Sequence, residues 1–498
     1  MKLLKVYISA FCMCSLSVLL NSCDDFLKEE PLDMKSSDQF WKTKADAESG
    51  VNALYFGGVP YLHNTDVGGG WTPKATMWGG IVSGLYVDKR KDRTFTTASE
   101  GCNFNIESFD DIAMKYWHEF YKGISRANFV IANIPTMTGV LDEATINNYV
   151  AQGKFFRAYG YFWLVKEFGG VPYISEPYTS TEGMYKERLS AEEVYKKIEA
   201  DLLDIVNGDA LPNKTFYDNG CYVTRAMAQT LLAQVYLQWA GAPLNGGTDY
   251  YGKAAQMALK VINDSPHELI HPNGTTDDLS SAYNVIKTTK SSAEIIYAKE
   301  YNYSDYSVGN SYACRSIGTD AFQWGVFHPG GDVLYNAYLP CDMLLNSYAS
   351  NDIRGHEKQF FFKKYTDAAG KTYTLNNAGN WAWFDENALI SGHDGDYNMP
   401  VFRFAEVLLI AAEGLARTNH EDNAVGGAKY YLNQVRKRAG LADETATGND
   451  LIQSILTERL HELPLEFKIW DDIRRTRLYP EEVGAQSGKL NWVPLTSA

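Results

Sequence analysis

Histidine, carboxylate and tryptophan side chains are where chemistry would be sought first in this 498-residue chain. His461-Glu462-Leu463-Pro464-Leu465-Glu466 starts like the zinc-binding helix of a metalloprotease. No second histidine stands four residues on, and Pro464 interrupts the helix that would have to present both ligands. Asp394-Gly395-Asp396-Tyr397-Asn398 sets oxygen atoms at alternate positions like the opening of a calcium loop, but the following glycine and the later bidentate glutamate are missing, which favours a surface turn. Adjacent carboxylates such as Asp385 and Glu386 could act as acid and base in glycoside hydrolysis, which needs two carboxyls roughly 5–10 Å apart. With 61 acidic residues such neighbours are unavoidable and carry no weight. No Gly-x-Ser-x-Gly elbow, Walker loop or Cys/His pattern of known spacing occurs. The expectation is a protein without catalytic residues, metal site or cofactor.

Aromatic residues make the better case. The chain has 33 Tyr, 23 Phe and 11 Trp, many of them in stretches rich in Gly, Asn and Asp rather than in periodic segments. A sugar ring offers an apolar face of C–H groups on which an indole can stack, while nearby amides and carboxylates bond its hydroxyls. Trp71 and Trp78 lie between glycine pairs, Trp324 in Phe322-Gln323-Trp324-Gly325, and Trp381 and Trp383 in Asn380-Trp381-Ala382-Trp383. These five are the candidate ligand-binding residues, with burial beneath a loop as the competing reading for each.

The elements that must position them are mostly helices. Tyr149 to Phe168 has one broad apolar face and stops at Gly169-Gly170. Ser190-Ala191-Glu192-Glu193 is a capping box that opens the next helix. Two further pairs are expected over Thr224 to Ala240 with Tyr251 to Asn263, and over Phe402 to Arg417 with Ala424 to Ala439. Ala226, Ala233, Ala254, Ala258, Ala411, Ala412 and Ala428 occupy would-be contact positions, as in tetratricopeptide-type hairpins, although no strict 34-residue period is present. Arg157, Glu413, Arg436 and Arg438 are expected in interhelix pairs or on solvated faces. Between Pro266 and Pro400 the periodicity fades, leaving short candidate strands at Glu294 to Lys299 and Phe360 to Lys364. Loops this long usually carry function.

Composition narrows the partners. The formal charge is −15, and −17 once Lys2 and Lys5 leave with an N-terminal leader, which disfavours nucleic acid and anionic lipid headgroups. In that leader an apolar run from Val6 to Leu20, too short to span a bilayer, follows the two lysines. Its end, Leu20-Asn21-Ser22-Cys23, resembles the lipobox of bacterial lipoproteins. That resemblance implies a signal peptide over 1–22 and a lipidated Cys23 as the first mature residue, so that the membrane is met through a lipid anchor only. Cys102, Cys221, Cys314 and Cys341 remain, with no metal-site spacing and their disulfide state open.

Several ordered blocks together resemble the SusD/RagB family of outer-membrane nutrient-binding lipoproteins. They are Cys23-Asp24-Asp25-Phe26-Leu27, Tyr121 to Asn128, Phe155-Phe156-Arg157-Ala158-Tyr159 through Phe168-Gly169-Gly170-Val171-Pro172, Arg403 to Leu409 with Ala412-Glu413, and Asn433 to Gly440. Glu458 to Leu463 and Trp470 to Arg475 also fit, whereas Pro464 departs from the pattern and should end or kink a helix near Leu463. The resemblance implies a mainly α fold, a tetratricopeptide-like helical-hairpin scaffold with long irregular loops and a few short strands. A single domain over 23–498 is expected, with scaffold at about 110–265 and 400–475 and a loop-rich binding region at about 57–108 and 266–400. The same resemblance implies a surface-exposed, lipid-anchored outer-membrane protein that binds a glycan and serves as lid to a SusC-like, TonB-dependent transporter. Oligopeptides are the alternative ligand.

Overall fold

Local sequence explains where the helices begin. The computed structural model describes residues 40–59, 80–87, 110–328 and 338–495, without 179, 181–182, 272 and 307. Thr43 and Asp46 form a capping box at α1 (Lys44–Asn52). The long α2 (Asp110–Asn133) follows, and Asp142 caps α3 (Glu143–Phe168) by accepting from the Thr145 amide at 2.8 Å. Ser190 and Glu193 make the expected box at α4 (Ala191–Asn207), Thr224 caps α5 (Arg225–Ala240), and α6 (Gly247–Asp264) completes the first array.

Each helix of this array packs on the next, α2 on α3, α3 on α4, α4 on α5 and α5 on α6. The position of α3 between two neighbours corrects the sequence reading. Instead of one apolar face it buries Phe155 through Phe162 without a break, and it starts six residues earlier than Tyr149. A helix apolar all round belongs inside a bundle.

The short α7 (Ala282–Thr288) leads to β2 (Ile295–Lys299), which pairs antiparallel with β6 (Met399–Arg403). Phe402 and Arg403, expected as the first turn of a helix, are therefore the end of a strand, and α8 begins at Phe404 (Phe404–Ala416). All thirteen residues of α8 are buried, against α6, α9 (Ala428–Arg438) and α10 (Gly448–Glu462). Gly414 shows how tight that packing is, since a Cβ there would lie 2.5 Å from the Tyr251 carbonyl oxygen and 2.8 Å from Ala255 Cβ. The alanines expected at contact positions are buried throughout. Helix α10 closes at Leu463, one residue before Pro464, and α11 (Ile469–Thr476) follows.

Three further antiparallel pairs decorate the scaffold: β1 (Tyr86–Val87) with β3 (Leu339–Pro340), β4 (Phe361–Thr366) with β5 (Thr372–Asn380), and β7 (Leu478–Glu482) with β8 (Leu490–Pro494). One large apolar cluster fills the helix array, a second lies between the loop region and α10 and α11, and a third sits under the β4–β5 hairpin.

A buried lattice of arginines and carboxylates fastens the loop region to the scaffold. Arg403 reaches Glu294 at 2.7 Å, Glu466 at 2.7 Å and Glu462 at 3.1 Å, and it donates to the Glu462 carbonyl at 2.7 Å. Arg438 bridges Glu294 and Glu462, while Arg354 holds Asp352, Glu458 and Glu462 at 2.8, 2.6 and 3.2 Å. Burial alone would raise the Glu462 carboxyl, but Arg438, Arg403 and Arg354 together hold it below the usual glutamate range. Arg157 with Asp201, Glu413 with Arg475, and Arg436 with Glu458 complete the interhelix pairs expected from sequence.

Candidate functional site

The β4–β5 hairpin raises an aromatic ladder from the core to the surface. Its turn is set by Asp367, whose carboxylate accepts from the Ala369 and Lys371 amides. The Lys371 amide, followed by lesser hydrogen bonds that include one from the Tyr373 hydroxyl, keeps this carboxyl below the usual aspartate range. With that turn, Tyr365 and Tyr373 become directly opposed cross-strand partners on one face, ring centroids 6.4 Å apart. Trp324, at the end of a 3-10 turn (Thr319–Trp324), lies parallel to both, 4.8 Å from Tyr373 and 6.2 Å from Tyr365. Asp320 ties the turn to the hairpin by accepting from the Asn376 amide at 2.8 Å. Tyr365 is buried, Tyr373 and Trp324 are half-buried, and Gln323 and Asn376 beside them are exposed. Half-exposed stacked rings flanked by amides can cover an apolar ring face and bond its polar rim.

The five sequence candidates fall in three places. Trp324 belongs to this ladder. Trp71 and Trp78 lie outside the described residues, with most of the 57–108 loop. Trp381 and Trp383 are core residues, at 9% and 7% exposure. Trp381 stacks on Phe384 at 5.0 Å and donates its indole N–H to Asn284 at 2.7 Å, and Trp383 packs among Tyr312, Tyr338 and Phe467. Sequence reading missed Tyr365 and Tyr373. The signal was present, since a turn of Asp367 and Gly370 between aromatic positions predicts a hairpin with both rings on one side.

The motifs weighed for chemistry have structural occupations. His461 is buried, bonded through Nε2 to Ser347 Oγ at 2.8 Å and stacked on Tyr348 at 4.3 Å. Burial pushes its pKa down to about 3. Because the folded value lies below the unfolded one, the unfolded chain binds the extra proton between about pH 6.5 and 3, and stability falls as pH falls through that window. In urea titrations wild type should lose roughly 1.4 kcal/mol per pH unit from this group below about pH 6. His461→Gln should show a shallower slope, and parallel slopes would refute the assignment. Asp385 accepts from the Ala388 and Asp396 amides, and Glu386 accepts from the Tyr365 hydroxyl. Asp396 binds the Tyr303 amide and Ser304 hydroxyl, both at 2.6 Å, so this turn spends its oxygens on the chain itself. Cys221 and Cys341 are free thiols, while Cys102 and the Cys314 side chain lie outside the described set.

The SusD family model matches residues 322–495, and a second family model, described as starch-binding associating with outer membrane, matches 81–237. SusD-like protein P2 of Formosa agariphila is 27% identical over 491 residues, covering 94% of this chain and 90% of its own. A SusD superfamily protein from Parabacteroides distasonis superposes with a TM-score of 0.76 at 25% identity, over 90% of this chain and 91% of its own. Surface glycan-binding protein A from Bacteroides thetaiotaomicron, in complex with laminarihexaose, shares the fold at a TM-score of 0.65 and 21% identity, covering 87% of this chain and 90% of its own. Helix array, decorated loops and matched segments agree, and the chain belongs to the SusD/RagB family.

Proposed function

We propose that this protein is a non-catalytic glycan-capture lipoprotein of the outer-membrane surface, anchored through Cys23, that hands oligosaccharides to a SusC-like TonB-dependent transporter. The observation that carries the reading is the Trp324–Tyr373–Tyr365 ladder, which brings stacked rings from a rigid hairpin to the surface beside exposed amides. That a protein of the same fold holds laminarihexaose supports the ligand class. Trp71 and Trp78 join the site in this reading as further stacking residues. Trp324, Trp71 and Trp78 would recognise the ligand, and closure over a transporter would add a second set of contacts, so that modest intrinsic affinity suffices. No helix among the described residues is long and apolar enough to cross a membrane, which is compatible with attachment by lipid. Affinity electrophoresis of the mature protein in gels containing plant, host or microbial polysaccharides should show retardation on at least one of them. Unretarded migration on all, or peptides co-purifying with the transporter complex by mass spectrometry, would overturn the glycan reading.

A further inference from the structure

Away from the ladder, the last turn of α7 places a lysine in unusual surroundings. Lys287 Nζ lies 4.1 Å from the Trp381 ring centroid, 5.0 Å from that of Tyr397 and 5.8 Å from that of Phe384. Among the described residues no hydrogen bond or ion pair reaches this amine. The acids whose charge acts on it are engaged elsewhere: Asp385 accepts two backbone amides, and Glu386 accepts the Tyr365 hydroxyl. A second lysine amine, Lys358 Nζ, sits 5.2 Å from the same Trp381 ring, which brings a further positive charge close to Lys287. Lys287 also lines a cavity of about 60 Å³ together with Asn310, Gln359, Trp383 and Asn398. A water needs only about 10–15 Å³ of such space, so this cavity admits a molecule of two or three carbons.

We propose that Lys287 is a reactive amine that captures small aldehydes as a reversible imine. Lys287 is half-buried, and the ring faces, which attract a cation, offer its amine no hydrogen-bond acceptor. Burial, which is the largest influence, brings the Lys287 pKa down to about 7 against the opposing pull of Asp385 and Glu386, with Lys358 adding to the fall. At neutral pH a large share of this amine is therefore uncharged, whereas an ordinary lysine is almost wholly protonated. The nitrogen lone pair forms a bond to the carbonyl carbon, and the nitrogen's proton passes to the oxygen to give a carbinolamine. Loss of one water then leaves the C=N bond. Nothing is oxidised or reduced, and hydrolysis reverses the reaction.

The test uses the folded full-length protein, glycolaldehyde and cyanoborohydride, which reduces the imine to a stable secondary amine that peptide mass spectrometry can locate. In brief incubations at about pH 7, Lys287 should carry at least ten times the adduct found on exposed Lys196 or Lys437, and at about pH 10 that preference should shrink several-fold. Lys358→Ala, which removes the competing charge, should reduce the preference at pH 7. Modification of Lys287 no faster than Lys196 and Lys437 at pH 7, or no modification of it at either pH, would overturn the proposal.

Discussion

Replacing Arg403 by methionine is expected to destabilise the protein by roughly 3–5 kcal/mol, the range seen when one partner of a buried ion pair is removed. The guanidinium is 2% exposed and holds Glu294, Glu462 and Glu466 at once, so its loss leaves carboxylates buried with fewer counter-charges. Glu462 would retain Arg438 and Arg354, and Glu294 would retain Arg438, whereas Glu466 pairs with no other arginine among the described residues. Burial already pushes the Glu466 carboxyl above the usual glutamate range even with Arg403 in place. Removing Arg403 should therefore drive Glu466 to take up a proton on folding, so that the variant loses stability as pH rises. Thermal and urea unfolding at two pH values measures both effects. A change below about 1 kcal/mol, comparable to that of an exposed pair, would mean that the lattice is not what fastens β6 to α10.

The second large effect should separate affinity from stability. Trp324→Ala is expected to weaken glycan binding tenfold or more, in line with the 1–3 kcal/mol by which truncated anchor residues commonly act. Its ring is half-exposed and, among the described residues, contacts only the aromatic rings of Tyr373, Tyr365 and Phe327, so the melting temperature should move little. Trp381→Ala should do the reverse, removing a buried indole and its bond to Asn284 at about 3–5 kcal/mol. Calorimetric titration with a retarding polysaccharide, paired with melting curves, reads both. Trp324→Ala binding as tightly as wild type while melting much earlier would make Trp324 a core residue and remove the ladder from the proposed site.

Sequence was informative wherever local rules decide. The Ser190–Glu193 box, the Thr224 cap and the Pro464 stop act within a few residues, and the helices they bound begin or end within a residue or two of where they were expected, whereas the helix capped by Asp142 starts six residues before the expected Tyr149. Tertiary pairing defeated the reading elsewhere. Met399–Arg403 is a strand only because Ile295–Lys299 lies beside it, more than ninety residues earlier in the chain. Thr372–Asn380 contains three asparagines and a glycine, poor strand formers, and is held extended by its hairpin partner and by Leu375 in the core beneath. For the tryptophans the difficulty is of another kind. Trp324, Trp381 and Trp383 all stand in short polar or glycine-containing stretches, and only the fold of distant segments such as Asn284 and Phe467 decides which of them meets solvent.

The arginine–carboxylate lattice also bears on how a lineage of such proteins can change what it binds. Among the described residues of the loop region it draws on only Glu294, Asp352 and Arg354, and its other members stand on or next to β6, α9 and α10. Segments between these fixed points, including the turn that carries Trp324 and the hairpin that carries Tyr373, can gain, lose or exchange residues while the mooring stays intact. Lengthening such a surface loop adds little entropic burden, so drift and insertion there are tolerated far better than in the helix array. Inheritance would then keep the scaffold and vary the ring-bearing segments.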